Sequence, residues 1–186
     1  MPDDSAILKL SSSDSSARES AAAEIFARGR ALIEPILAEW LQESRLRINL
    51  SGGNPQMTVG VATLVETFGK IRASNGNPRL ADVPPDQDAI EFELNFAGGV
   101  QLDVLTTRTP GGAGAIARFL EKFGEGIQQI ELDAKSVGEA TEILRSCFNL
   151  APLYPATRPG ADGTRVNFFL AGRPDGRKVL IELVEK

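Results

Sequence analysis

The sequence predicts an α+β protein: two successive modules with the same order of elements, preceded by a helical arm. Three observations carry this. Stretches of alternating apolar and polar residues recur between residues 56 and 186, the period of strands with one face buried. Each half, about 56–108 and 115–186, runs strand, helix, then further strands, giving βαβββ twice and a cup-shaped sheet. Residues 5–45 instead place apolar side chains at helical spacing.

The arm covers residues 1–50. SSSDSS is a cluster of capping residues, followed by ARESAAAEIFARGRAL with Ala21, Ile25 and Ala27 at helical spacing. Gly29 marks a break. Leu32, Ile33, Ile36, Leu37, Trp40 and Leu41 then form an i, i+3, i+4, i+7 stripe, with Pro35 in the first turn of a second helix. The expected product is a hairpin like one HEAT repeat, packed on the main domain or on a second chain; a lid over a pocket is the other reading.

SGGNPQ (51–56) is a linker, and it opens the main domain, 51–186. A strand from Val59 precedes a helix from Val65 to near Asn75. Residues 90–96 and 100–105 are alternating strands joined by a glycine turn at 97–99. Pro110-Gly-Gly-Ala-Gly links the halves; without a Walker lysine or Rossmann spacing it is no nucleotide loop. The second half offers a helix (115–124), a strand (127–134), a helix from Val137 to about Cys147, and the strands RVNFFL and KVLIELVEK.

Composition narrows the function. Net charge is −5 and there is no basic run, which excludes a nucleic-acid partner. No apolar stretch reaches the roughly 18 residues of a membrane span. The start, MPDDSAILKL, lacks the basic flank and apolar run of a signal peptide. A single cysteine, Cys147, fits a reducing cytoplasm and is expected as a buried apolar thiol. There is no histidine, so Ser-His-Asp and Cys-His mechanisms and the usual zinc sites are excluded. Acid–base chemistry falls to carboxylates, lysines or Tyr154, for which packing is the simpler role.

Alternation sets Glu91, Glu93 and Asn95 opposite Ile90, Phe92, Leu94 and Phe96. By the same rule Gln101 and Asp103 oppose Leu102 and Val104, and Gln129 and Glu131 oppose Ile130 and Leu132. Two readings stand: the polar faces are solvated, or they line a ligand site. Glu182, alone among apolar neighbours in KVLIELV, favours the second, because a carboxylate there is costly to bury unpaired. Arg158 and Arg165 flank the loop PGADG; they are either a dock for phosphate or carboxylate, or plain surface arginines.

At these residues the sequence resembles the vicinal-oxygen-chelate (glyoxalase/bleomycin-resistance/dioxygenase) superfamily, and within it the methylmalonyl-CoA epimerases. AIARFLEKFGEGIQQIELDA is similar to the family's helix, turn and strand, and TRPGADGTRVNFFL with DGRKVLIELVE is similar to its ending. DQDAIEFEL and VQLDVLT are similar to segments of the first half, and MTVGVAT is the loosest match. The resemblance implies a cation held by four side chains, here Thr58 (or Met57 if the register slips), Asp103, Gln129 and Glu182. With imidazoles absent, the set is all oxygen and suits Mg²⁺, Mn²⁺ or Ca²⁺ rather than cobalt, nickel or zinc. The expectation is a degenerate site without a cofactor, a weakly held cation of that kind being the other reading.

The resemblance also places the epimerases' acid/base carboxylate on Glu91; the expected acid/base pair is Glu91 and Glu182, with Gln101, Glu131, Arg158, Arg165 and Asn167 as expected substrate-binding positions. Three functions follow as expectations. The first is isomerase or lyase chemistry by proton transfer next to the carbonyl of a small acid or thioester. The second is a metal-free module that binds a small molecule, and the third an interaction scaffold that works through the helical arm. A small-molecule ligand and a cytoplasmic homodimer, with no membrane or nucleic-acid partner, complete the expectation.

Overall fold

A computed structural model of the chain describes residues 5–186, so the acidic start, residues 1–4, lies outside the described residues. In chain order the elements are α1 (Ser5–Lys9), α2 (Ser15–Trp40), α3 (Ser44–Asn49), β1 (Met57–Ala62), α4 (Val65–Ser74), β2 (Ile90–Phe96), β3 (Val100–Thr106), α5 (Ala115–Phe123), β4 (Gly126–Asp133), α6 (Val137–Phe148), β5 (Arg158–Pro159), β6 (Arg165–Gly172) and β7 (Lys178–Glu185). The class is α+β, as the alternation predicts. Two compact units result: one takes the chain up to Gly29 with Thr58–Gln128, the other Arg30–Met57 with Gln129–Lys186.

The first unit is built on β3. It pairs antiparallel with β2 along its full length, Ile90 opposite Thr106 through Phe96 opposite Val100. It pairs parallel with β1, where Val59 meets Leu102 and Gly60 meets Asp103. One face is apolar: Val59, Val61, Phe92, Leu94, Leu102 and Val104 are buried. Phe68 of α4 meets Phe92 edge to face, ring centroids 4.8 Å apart. The end of α4 is tied to the chain after α1 by Asn75 Nδ2, which donates to the Leu10 carbonyl at 2.9 Å, and by Ser74 Oγ, which donates to the Ser11 carbonyl at 2.8 Å.

This unit has one strand fewer than predicted, so its order is βαββ rather than βαβββ. The stretch before β2, NPRLADVPPDQ, holds Pro78, Pro84 and Pro85, which cannot donate to a ladder. A single backbone bond, from the Ala81 N–H to the Glu91 carbonyl at 3.0 Å, marks where a strand edge begins and goes no further.

The second unit keeps the full βαβββ order. β7 pairs parallel with β4 and antiparallel with β6, and β6 carries the two-residue β5. The Ser136 hydroxyl caps α6 by accepting the Glu139 N–H at 3.3 Å, and Asn149 closes it in the left-handed conformation. Glu185 Oε2 accepts the Val137 N–H at 2.8 Å, so the first turn of α6 sits over that end of β7. We expect Ser136→Ala to lower stability by about 1 kcal/mol, the usual worth of such a cap. Urea denaturation reads this, and an unchanged midpoint denies the cap.

Two expectations about the helices are corrected. The hairpin is absent: α2 is one continuous helix of 26 residues that runs through Gly29 and contains Pro35. A helical glycine costs only about 1 kcal/mol relative to alanine, and burial of Ile25, Ile33, Ile36 and Trp40 along the same helix outweighs it. Cys147 is exposed rather than buried. It lies in the last turn of α6, beyond the last buried position, Leu144, and the Arg45 guanidinium donates to its sulfur at 3.2 Å.

Candidate functional site

The second unit brings together the clearest constellation. In the parallel ladder Glu131 of β4 lies beside Glu182 of β7, so both carboxylates project from the same face about 5 Å apart at the backbone. Two like charges at that spacing repel. Gln129, two residues before Glu131 and therefore on the same face, resolves this. Its Nε2 donates to Glu182 Oε2 at 2.6 Å and to Glu131 Oε1 at 3.2 Å, using both hydrogens of one amide. The Gln129 side chain is itself buried, while both glutamates are partly buried.

Next to Glu182 in the β6 register is Phe168, a position that sequence reasoning missed. The Tyr154 ring packs edge to face on it at 5.9 Å, and the Arg158 guanidinium lies over the Tyr154 ring at 4.4 Å. Arg158 pairs with Val166, which shares Phe168's face, so Arg158 stands on the carboxylate face two strand spacings across and two residues along from Glu182, about 12 Å at the backbone. Only strand register could reveal Phe168: in RVNFFL both phenylalanines satisfy an apolar alternation.

Two predicted positions do not join this face. Asn167 pairs with Leu183 and Arg165 with Glu185, the face on which α6 sits. Asn167 is fully buried; its Oδ1 accepts the Phe168 N–H at 2.9 Å and its Nδ2 donates to the Tyr154 carbonyl at 3.2 Å. It positions the Tyr154 loop and cannot reach a ligand. Arg165 donates to the Thr157 hydroxyl at 2.9 Å and lies 3.8 Å from Glu185 Oε1.

In the first unit, Thr58, Glu91, Gln101 and Asp103 share one face, which follows from the registers of β1 and β2 on β3. Asp103 is buried, with Gly60 beside it on β1 and Glu93 opposite on β2. Glu91 stands opposite Leu105, and Gln101 Nε2 donates to Asn95 Oδ1 at 2.9 Å. Thr58 is buried two residues before Gly60.

The four positions that the resemblance supplies for a cation divide two to each unit. Among the described residues, no group of three or more Asp, Glu, Cys or His side chains is placed to hold a metal ion. In the second unit the Gln129 amide turns its hydrogens, not its oxygen, toward the two carboxylates.

The first unit also holds an apolar cavity of about 200 Å³, lined by Leu64, Val65, Pro110, Ala117 and Leu120 with Thr106 and Thr107. Its hydroxyls are engaged: Thr106 donates to the Thr63 carbonyl and Thr107 to Asp88, a hydrogen bond that holds the Asp88 carboxyl below its ordinary value. None of the predicted site residues lines it, and it is smaller than most ligand pockets.

The fold recurs in solved structures. Methylmalonyl-CoA epimerase from Mycobacterium tuberculosis superposes with a TM-score of 0.53 at 27% identity, over 69% of this chain and 85% of its own. The chain has the vicinal-oxygen-chelate fold. A hypothetical protein from Bacillus halodurans shares this vicinal-oxygen-chelate likeness, with a TM-score of 0.55 at 26% identity over 69% of this chain and 91% of its own. A variant methylmalonyl-CoA epimerase of Streptomyces coelicolor, in complex with 2-nitronate-propionyl-CoA, gives 0.53 at 25% identity over 69% and 92%. No family model and no curated protein matches the sequence. The vicinal-oxygen-chelate resemblance read from the segment Thr157–Leu170 and from KVLIELVE is thus borne out as a fold.

Proposed function

We propose that this chain is an epimerase- or glyoxalase-type protein that moves a proton at the carbon next to the carbonyl of a small acid or thioester. The observation that carries the reading is the carboxylate pair Glu131/Glu182 on the same face as Arg158. In the proposed step the ionised Glu182 carboxylate takes the proton, so the substrate becomes an enolate and Glu182 becomes neutral. Protonation of the opposite face of that carbon by a second, neutral carboxyl then completes an epimerisation, and exchange with solvent restores both carboxyls to their starting states. Arg158 docks an anionic group of the substrate and its positive charge favours the enolate. Glu91, on the polar face of the first unit, is the acid/base partner that the resemblance supplies. The CoA ester named with the Streptomyces coelicolor structure supports a thioester as the ligand class. The proposal needs no resident metal, and Mg²⁺, Mn²⁺ or Ca²⁺ should leave the melting temperature unchanged. A homodimer is expected, which light scattering reads. Among the described residues no helix is long and apolar enough to cross a membrane.

The test is deuterium uptake into methylmalonyl-CoA in deuterated buffer, followed by mass spectrometry. Wild-type protein should label the carbon next to the thioester carbonyl well above the buffer rate. Labelling at the buffer rate overturns the enzyme reading. Calorimetric binding without labelling would then identify a metal-free binding module, and absence of both would leave the helical arm as the working surface.

A further inference from the structure

We propose that the cavity of the first unit is a ligand site for a small, uncharged apolar molecule, separate from the carboxylate face and independent of the proton chemistry proposed there. Thr106 continues the face of β3 that carries Leu102 and Val104, and α4 packs on that face through the contact of Phe68 with Phe92. The cavity therefore lies on the helix-covered side of the sheet, while Glu91, Gln101 and Asp103 stand on the other. Its volume is about 200 Å³. An apolar cavity of about 150 Å³ already stays dry and takes up benzene. Walls that meet no partner atoms forfeit dispersion contacts, which a ligand of matching size restores.

The lining selects the ligand class. Leu64, Val65, Pro110, Ala117 and Leu120 have no side-chain hydrogen bond to offer. The two threonine hydroxyls commit their hydrogens elsewhere: Thr106 Oγ1 donates to the Thr63 carbonyl at 2.8 Å and Thr107 Oγ1 to Asp88 Oδ2 at 2.6 Å. Thr107 Oγ1 also accepts the Thr109 N–H at 3.1 Å. The Leu64 N–H donates to the Glu125 carboxylate at 2.8 Å, so the start of α4 is occupied too. A polar ligand would give up water and gain no donor in return. Glu121, exposed and one helical turn beyond Ala117, sets a negative charge at the rim, which disfavours an anion. Entry is open, since Leu64 and Val65 line the cavity and are 55% and 52% exposed. The space exists because Ala117 and Gly111 are small: a Cβ added at Gly111 would meet nothing within 4 Å.

The test titrates benzene into the full chain and follows the methyl NMR signals of wild type and Ala117→Leu, with benzoate as the charged probe. In wild type the methyls of Leu64, Val65, Ala117 and Leu120 should shift saturably, and the exposed methyls of Leu8 and Leu153 should not. Benzene should also raise the melting temperature, because it binds the folded state alone. Ala117→Leu fills the cavity from α5, so it should be as stable as wild type or more so and lose the benzene shifts at Leu64 and Val65. Benzoate should bind at least about tenfold more weakly than benzene, since its charge would have to leave water. Equal shifts at Leu8 and Leu153, or benzene binding to Ala117→Leu as to wild type, overturns the site. Benzoate binding as tight as that of benzene overturns the uncharged class. Should Ala117→Leu not fold, the wild-type comparison of lining with exposed methyls decides alone. Deuterium uptake enters none of these readouts, so the outcome stands apart from that of the proposed function.

Discussion

Glu182→Gln lowers deuterium uptake into the thioester about 10²- to 10⁴-fold, the usual worth of a positioned general base. The substitution keeps the side-chain volume and leaves Glu131 and Gln129 within reach of each other, so the protein should remain folded. It also removes one of two adjacent like charges, so stability should hold or rise slightly. Substrate binding should change little, because Arg158 and the aromatic pair are untouched. The loss therefore falls equally on kcat and kcat/KM, the signature of an interaction made in the transition state. Retention of labelling within about threefold would remove Glu182 from the chemistry, and the same measurement on Glu91→Gln then decides whether the first unit supplies the base.

Phe92→Ala should destabilise the protein by about 3–5 kcal/mol, the cost typical of deleting a buried ring. Phe92 is fully buried in β2, and its partner Phe68 loses the edge-to-face contact at the same time. No neighbour can close the space cheaply, since the β2–β3 ladder is paired along its whole length and cannot shift inward. Urea denaturation followed by circular dichroism reads the effect. A loss below about 1 kcal/mol would mean that Phe92 is outside the core. Phe123→Ala is the matched control: that ring is 58% exposed, and its removal should stay within about 0.5 kcal/mol.

What was legible in the sequence follows from the reach of each signal. Alternation over 90–96 and 100–105 found β2 and β3 and set Glu91 opposite its apolar neighbours on the one and Gln101 and Asp103 opposite theirs on the other, because period two is local. The same local rule could not say what stands beside what. That Glu131 neighbours Glu182, or that Phe168 rather than Phe169 faces Glu182, is a matter of register between strands about 50 residues or fewer apart in the chain. Arg165 and Asn167 were misplaced for that reason. Gly29 and Pro35 read as punctuation, yet burial along one face of α2 outvoted them. Cys147 followed the average for its residue type and missed that the last turn of α6 leaves it exposed beside Arg45. The resemblance supplied positions, but geometry decided their chemistry, as with an amide that offers hydrogens where a ligand oxygen was expected.

The parallel pairing of Glu131 with Glu182 has a consequence for how the chain reaches its native state. A slip of one residue in β4 or β7 would turn a carboxylate onto the face of Ile130, Leu132, Ile181 and Leu183, all fully buried. An ionised carboxylate there is far more costly than a misplaced leucine, so misaligned ladders are driven apart before they consolidate. The charges of the proposed site thus also guard the alignment of the strands that carry them.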